Sequence, residues 1–335
     1  MTIRIKKDRI EFDGYTLYET PQGLFLNTNI NAACFNDMFQ GTVAWFLAGG
    51  YASPPPSPGP SCVIERYPFS ASSGTATVVG SLSAGRHAAA PHSSATNAFI
   101  SAGYCGAAFP LAATQKVNTY PYSSNYSMTD AGTLSATAAE GYSGTSSSTN
   151  GYITGGIPVM NCMHKFPFST FFSSSTNVGT LSRSRDSGSG TNSPTHGYDA
   201  GGAPVPGSGY LDKFPFATDT SSTNIGNMGH QARSHAGISS PTSGYAAGGG
   251  YPQISTVSRW PFATDSGSTI GNLLYARDRL SGASSQTHGY AIGGICTGAG
   301  TSANFIERFP FASDTSMSCV GSLTCNRSNS TPAQD

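Results

Sequence analysis

A short pattern recurs six times along this chain, and it constrains the fold more than any other feature. Its clearest copy runs from Ser243 to Arg277. An aromatic (Tyr245) precedes a glycine pair (Gly248, Gly249). A basic residue (Arg259) precedes Trp260-Pro261-Phe262. A Gly-x-Leu (Gly271, Leu273) precedes Arg277. Glycine doublets also stand at Gly49-Gly50, Gly155-Gly156, Gly201-Gly202 and Gly293-Gly294. The proline of the second motif recurs as Pro68, Pro121, Pro167, Pro215, Pro261 and Pro310, a mean spacing of about 48 residues. Glycine pairs and prolines at these intervals exclude helices, because each would cost roughly 1–3 kcal/mol in a helix interior.

Repeats of this length, each holding several short runs bounded by Gly, Pro, Ser or Asn, point to the blades of a β-propeller. The second copy is the most divergent. Thr119 takes the basic position, and Ala138 takes the place of the arginine found at Arg86, Arg185, Arg233, Arg277 and Arg327. The last copy has no glycine strand after its Gly-x-Leu, and the first has no Gly-x-Leu before its glycine strand. Joining the two ends completes the cycle. The expectation is an all-β, six-bladed propeller over residues 41–335, closed by both chain termini, which removes exposed strand edges.

Residues 1–40 lie outside the repeat. Ile3, Ile5, Ile10 and Phe12 alternate with polar residues as one half-buried strand. Asp13-Gly14 is a hairpin signal, with Tyr15 to Glu19 as the return. Pro21-Gln22-Gly23 is a second turn, leading to a third short strand from Leu24 to Asn27. This β-arm has little core of its own and needs a partner surface. Its basic cluster, Arg4, Lys6, Lys7 and Arg9, is the candidate anchor. No apolar h-region opens the chain, so a secretory leader is not expected. No apolar run has the length of a membrane span.

Charged residues are only 10% of the chain, with zero net charge and 11% aromatics. Disordered chains carry more net charge and fewer aromatics, and nothing in this balance calls for nucleic acid. The Ser/Thr/Gly-rich composition suits an extracellular or virion β-protein. Seven cysteines include no C-x-x-C and match no zinc spacing; buried thiols are one reading, one or two disulfides the other. Pro54 to Pro60 reads as a stiff surface loop.

The order glycine doublet, basic-aromatic-Pro-Phe, Gly-x-Leu, arginine resembles the kelch repeat over residues 41–330, which implies four-stranded blades around a central channel. The Pro-Phe form and the Ser/Thr content depart from kelch adaptors. Strings such as IGNL and RFPFATD, and the opening IRIKKDRIEFDGYTLYETPQGLFL, are similar to virion proteins of tailed phages of aquatic bacteria. That resemblance implies a non-enzymatic structural role: residues 1–40 dock to other virion proteins, and the propeller, in several copies, serves decoration or adhesion. A secreted or cell-surface lectin is the alternative.

Each candidate side chain has a plain reading beside the sharper one. The recurrent arginines satisfy carbonyls between blades, or ring the channel and bind an anion. His196 and His288 share their slot with Asn150 and Ser243, which argues for a strand-edge position over a metal ligand. Asp219, Asp265 and Asp314 bond nearby backbone at a turn; no D-x-D-x-D cluster suggests calcium. Phe69, Phe168, Phe216, Phe262 and Phe311 are core anchors. Tyr104, Tyr251 and Tyr275 are aromatics that stack on sugars if exposed. Asn125, Asn326 and Asn329 are glycosylation sequons. No G-x-S-x-G, H-E-x-x-H or phosphate loop is present, so no catalytic residue and no cofactor is expected.

Overall fold

The computed structural model describes the strands Ile3–Ile5, Arg9–Phe12, Tyr15–Thr20 and Gly23–Thr28, then residues 41–52, 59–106, 112–123, 128–137, 140–169, 171–204, 209–250, 252–297 and 302–335. Lys6, Lys7, Asp13, Gly14, Pro21, Gln22, Cys34, Pro54, Asn125, Ala138 and Tyr251 lie outside the described residues. Among the described residues there is no helix, and none long and apolar enough to cross a membrane.

The N-terminal strands form a four-stranded antiparallel meander. The stretch read as one strand is two: Ile3–Ile5 pairs with Arg9–Phe12, placing Ile3 opposite Phe12 and Ile5 opposite Ile10. The alternation breaks at Lys6-Lys7-Asp8, and the chain reverses between the two halves.

The remaining described residues build six antiparallel four-stranded sheets, an architecture that fits a propeller-like fold, and three smaller sheets of two or three short strands. Sheet 1 is Thr331–Gln334, Ala44–Ala48, Val63–Pro68 and Thr77–Ser81. Sheet 2 is Ala90–Ser93, Asn97–Ser101, Lys116–Pro121 and Thr129–Thr133. Sheet 3 is Glu140–Ser146, Asn150–Ile157, Met160–Pro167 and Thr176–Arg185. Sheet 4 is Ser189–Asn192, His196–Ala200, Tyr210–Pro215 and Thr223–Asn227. Sheet 5 is Ala236–Ser239, Ser243–Ala247, Thr256–Pro261 and Ser268–Asn272. Sheet 6 is Ser281–Ser284, His288–Ile292, Phe305–Pro310 and Ser318–Ser322. Sheet 1 thus takes its first strand from residues 331–334, which pair with Ala44–Ala48.

Each strand type has a local cause. The first strands carry Gly144, Gly190, Gly237 and Gly282. A Cβ on any of them would strike the backbone of the preceding first strand, at Pro91, Gly144, Gly190 and Gly237 respectively. Only a residue without a side chain lets neighbouring backbones approach this closely. The second strands are buried throughout or nearly so. The third strands all end on the recurrent proline, opposite the first residue of the second strand (Ala44, Asn97, Asn150, His196, Ser243, His288). A residue without an N–H is tolerated at such a strand end.

Every fourth strand is bulged at one place. In sheet 4, Leu211 faces Gly226 while Asp212 faces Asn224, so Ile225 is the extra residue. Val79, Ala131, Val178, Ile270 and Val320 occupy the same place elsewhere. The Val/Ile-Gly-x-Leu motif therefore encodes a β-bulge followed by a buried Leu or Met that caps the core.

Aromatic pairs join one sheet to the next. The residue after each recurrent proline packs on an aromatic of the preceding second strand. The pairs are Phe46–Tyr122, Phe99–Phe168, Tyr152–Phe216, Tyr198–Phe262, Tyr245–Phe311 and Tyr290–Phe69, with ring centroids 4.6–5.5 Å apart. Such contacts are worth about 0.5–1.5 kcal/mol each beyond the area they bury.

Candidate functional site

The glycine doublets all have positive φ: Gly49 and Gly50 at 66° and 94°, Gly155 and Gly156 at 69° and 119°, Gly201 and Gly202 at 65° and 102°, Gly248 and Gly249 at 67° and 89°, Gly293 and Gly294 at 61° and 98°. They follow the second strand, or in sheet 3 lie within its last residues, and they are tied to the arginines. The Arg86, Arg277 and Arg327 carbonyls accept from the N–H of Gly50, Gly249 and Gly294, at 2.7, 2.7 and 2.9 Å. The guanidinium then reaches into the next sheet. Arg277 donates to the Gly293 carbonyl at 2.6 Å, Arg327 to the Gly49 and Val63 carbonyls at 3.1 Å, and Arg185 to the Gly201 carbonyl at 3.3 Å. One residue thus holds its own sheet through its backbone and the next through its side chain, which is why doublet and arginine recur together.

Three of these arginines also meet a buried acid three residues before the recurrent proline. Arg327 pairs with Glu65, Arg277 with Glu307 at 2.8 Å, and Arg185 with Asp212 at 2.9 Å and Asp199 at 3.4 Å. Burial pushes the Glu307 carboxyl up and the Arg277 guanidinium down, and brings Arg327 to about 10. Asp199 is raised by burial, which Arg185 offsets only in part. At Asp212 burial also acts upward, but Arg185 and bonds from Ser182 and Ser222 outweigh it and hold the group low. Arg86 instead donates to the Ile100 carbonyl and Cys105 Sγ.

Arg233 differs. The Ala232 carbonyl accepts from Gly202, so Ala232 fills the arginine slot and Arg233 is displaced by one. The facing acid is correspondingly replaced by Ser258, bonded to His230 Nδ1 at 2.6 Å, with His235 buried beside it. In sheet 3, whose preceding seam carries Ala138 in sequence, the residue three before the recurrent proline is His164, bonded to Ser135 at 2.9 Å. At both seams that lack the arginine the acid is lost with it, whereas Arg86 keeps its place opposite Asn118, which is not an acid.

The turn aspartates reach farther than their own turn. Asp219, Asp265 and Asp314 pair with Lys165, Lys213 and Arg259 of the preceding sheet. The ring nitrogen of His196 meets the Thr195 hydroxyl at 2.8 Å, and His288 meets Thr287 likewise. Among the described residues no cluster of three or more His, Cys, Asp or Glu is placed to hold a metal. The cysteines described are free thiols, but not the buried ones expected: Cys62, Cys319 and Cys325 are exposed, and Cys105, Cys162 and Cys296 are half-buried.

One concavity stands out. A cavity of about 790 Å³ opens where the first strands begin, and Glu140, Asp186, Arg233, Asp278 and Arg279 line it together with His87. At its lip Ala88, Ser187, Ser234, Arg279 and Asn329 all adopt φ of 51–55°. Their N–H groups donate in sequence: Ala88 to Asn329, Asn329 to Arg279, Arg279 to Ser234, Ser234 to Ser187 and Ser187 to Gly141. The backbone is thereby satisfied within itself, and the side chains face the cavity. Burial raises Glu140, reinforced by Asp186 and opposed by Arg279; it also raises Asp278, against Arg279 and Arg233, and lowers His87. Sequence reading missed this site: its charged residues are drawn from five different repeats, and only the departure from repeat identity at these slots marks them.

The chain finds no match among protein-family models, nor among curated proteins.

Proposed function

We propose that sheets 1 to 6 are the blades of a closed six-bladed propeller, and that the protein is a non-enzymatic structural component of a virion. Residues 1–40, with Arg4, Lys6, Lys7 and Arg9, dock it to other virion proteins. Residues 41–335 are displayed, in several copies, as a decoration or adhesion module. One observation carries the reading. Nearly every charged or aromatic side chain that the repeat specifies is used to bind one sheet to its neighbour, with the aromatic contact recurring from sheet 1 to sheet 2 and on to sheet 6 with sheet 1. That is the construction of a rigid display platform. The similarity of the repeat dialect and of the opening segment to tailed-phage virion proteins supports the setting.

Deleting residues 1–40 tests it. The truncated chain keeps its folded melting transition and is no longer incorporated when particles are assembled in its presence. Undiminished incorporation would remove the anchor. A glycan-binding reading, virion-borne or as a secreted or cell-surface lectin, is favoured by Tyr275, which is 55% exposed and stacked on Phe305 at 5.2 Å. A glycan array on the truncated chain, compared with Tyr275→Ala, separates the two.

A further inference from the structure

The seam between sheets 4 and 5 departs from the repeat at five slots at once. Ala232 stands where other seams carry the arginine, and Ser258 stands where Glu65, Asp212 and Glu307 are found elsewhere. Met228 takes the place held in the other five copies of the motif by Leu82, Leu134, Leu181, Leu273 and Leu323. His230 and His235 take the places that Tyr275 and Leu280 hold at the following seam. Together these changes remove a buried cation and bring in two imidazoles and a thioether.

The three side chains gather in one small space. The His230 and His235 rings are 6.4 Å apart between centroids and inclined at 72°. A Cβ built on Gly201 would lie 2.7 Å from His235 Cε1 and 3.1 Å from Met228 Cε. Met228 is fully buried, and His235 is 4% exposed. Two ring nitrogens on one metal ion, each at about 2.0 Å, set imidazole centroids roughly 5.5–6.5 Å apart, and the observed separation falls within that range.

A second observation points to an occupant. Both ring nitrogens of His235, and Nε2 of His230, are buried without a hydrogen-bond partner in the protein. Buried polar groups are seldom left so without a reason such as a ligand or ordered water. The Ser258 hydroxyl meets His230 Nδ1 at 2.6 Å; it fixes the ring and leaves Nε2 for a ligand, as the outer partners of metal-bound histidines do. Burial keeps both rings neutral, the form that binds metal: His235 is brought to about 3, and His230 is lowered against the pull of the Gly248 carbonyl. His235 also lines the cavity, which gives an ion a way in. We propose that Met228, His230 and His235 bind a soft monovalent metal ion, copper(I). Thioether and imidazole donors suit that ion. None of the three donors carries a charge, so the buried site favours the ion of lowest charge. This inference stands apart from the display reading, since it concerns one seam and makes no use of residues 1–40.

The test is methyl NMR of the full chain, labelled with carbon-13 at the methionine methyls, with copper(I) added under argon as its acetonitrile complex. Cys62, Cys319 and Cys325 are exposed and also take copper(I), so the readout is local to the site and the metal is added in excess of the seven thiols. Met228→Leu, which restores the residue of the other five copies, identifies the Met228 resonance. That resonance shifts with copper(I) and saturates, and zinc(II) at the same concentration leaves it in place. His230→Tyr and His235→Leu copy the following seam. Each weakens the site at least about tenfold, read on the Met228 methyl in competition with bicinchoninate. Should a histidine variant fail to melt as the parent does, the Met228 methyl of the parent decides alone. A Met228 methyl that copper(I) does not move overturns the proposal. So does an equal response to zinc(II), or a copper(I) response undiminished by loss of either histidine.

Discussion

Removing Arg277 should be among the most damaging single changes outside the aromatic core. Its side chain and that of Glu307 are both fully buried and meet at 2.8 Å. Arg277→Ala leaves the Glu307 carboxylate in the interior with only the Leu274 N–H, at 3.0 Å, and deprives the Gly293 carbonyl of its 2.6 Å donor. An uncompensated buried charge costs about 3–5 kcal/mol, which for a chain of this size lowers Tm by roughly 5–15 °C. Glu307→Ser should cost as much, because it strands the guanidinium instead. The protein already contains the neutral alternative at the seam between sheets 4 and 5, where Ala232 and Ser258 hold the two slots. The double variant Arg277→Ala/Glu307→Ser copies that arrangement and buries no charge. What remains is a lost carbonyl bond of about 1 kcal/mol and some lost packing, so the double variant should be no less stable than either single one. Urea midpoints and melting temperatures of the four proteins form a double-mutant cycle. Additive losses, or single losses below about 1 kcal/mol, would refute the claim that the pair acts as a buried unit.

Acid should destabilise the protein between pH 6.5 and 4. Burial holds His235 near 3 and His92 near 4, so both stay neutral in the folded state while the unfolded chain protonates near 6.5. Their full contribution to stability is present above pH 6.5 and is lost as pH falls below it, by about 2 kcal/mol for each histidine at pH 5. His235→Gln should flatten roughly half of that slope in urea midpoints taken from pH 7.5 to 5; an unchanged slope contradicts the assignment. Truncation after Ser330 removes the strand paired with Ala44–Ala48 and uncovers the edge carrying Trp45, Phe46 and Leu47, so cooperative melting should be lost. A truncated chain that melts like the parent would show that sheet 1 stands without its first strand.

The repeat was legible because its markers answer to backbone geometry, which leaves few residues eligible. Left-handed turns select Gly49-Gly50 and the other doublets, and the last residue of a third strand, opposite the start of the second, accepts Pro68 or Pro310. The first strand of each sheet was harder to see. Ser281-Gly-Ala-Ser284 and its equivalents are buried on both sides by close backbone approach, so small residues replace the apolar alternation by which strands are usually recognised. The arginine partners could have been found by comparing repeats: Glu65, Asp212 and Glu307 stand three residues before their prolines, and Ser258 stands there where Ala232 has displaced the arginine. Spacing already set Arg233 seven residues after its glycine where the other arginines stand six after theirs, but only the Gly202 N–H, which meets the Ala232 carbonyl, shows that Arg233 does not fill the same slot. The cavity was not legible because no single repeat contains it.

The bulge in every fourth strand bears on how copies of this protein tolerate one another. An outermost strand with free N–H and C=O groups invites another chain to extend the sheet, and crowding raises the rate of that event. Here Val79, Ala131, Val178, Ile225, Ile270 and Val320 each throw the ladder out of step midway along such a strand. A straight incoming strand can match one half of the edge and misses the other. The six bulged strands are thereby guarded against extension by a second chain.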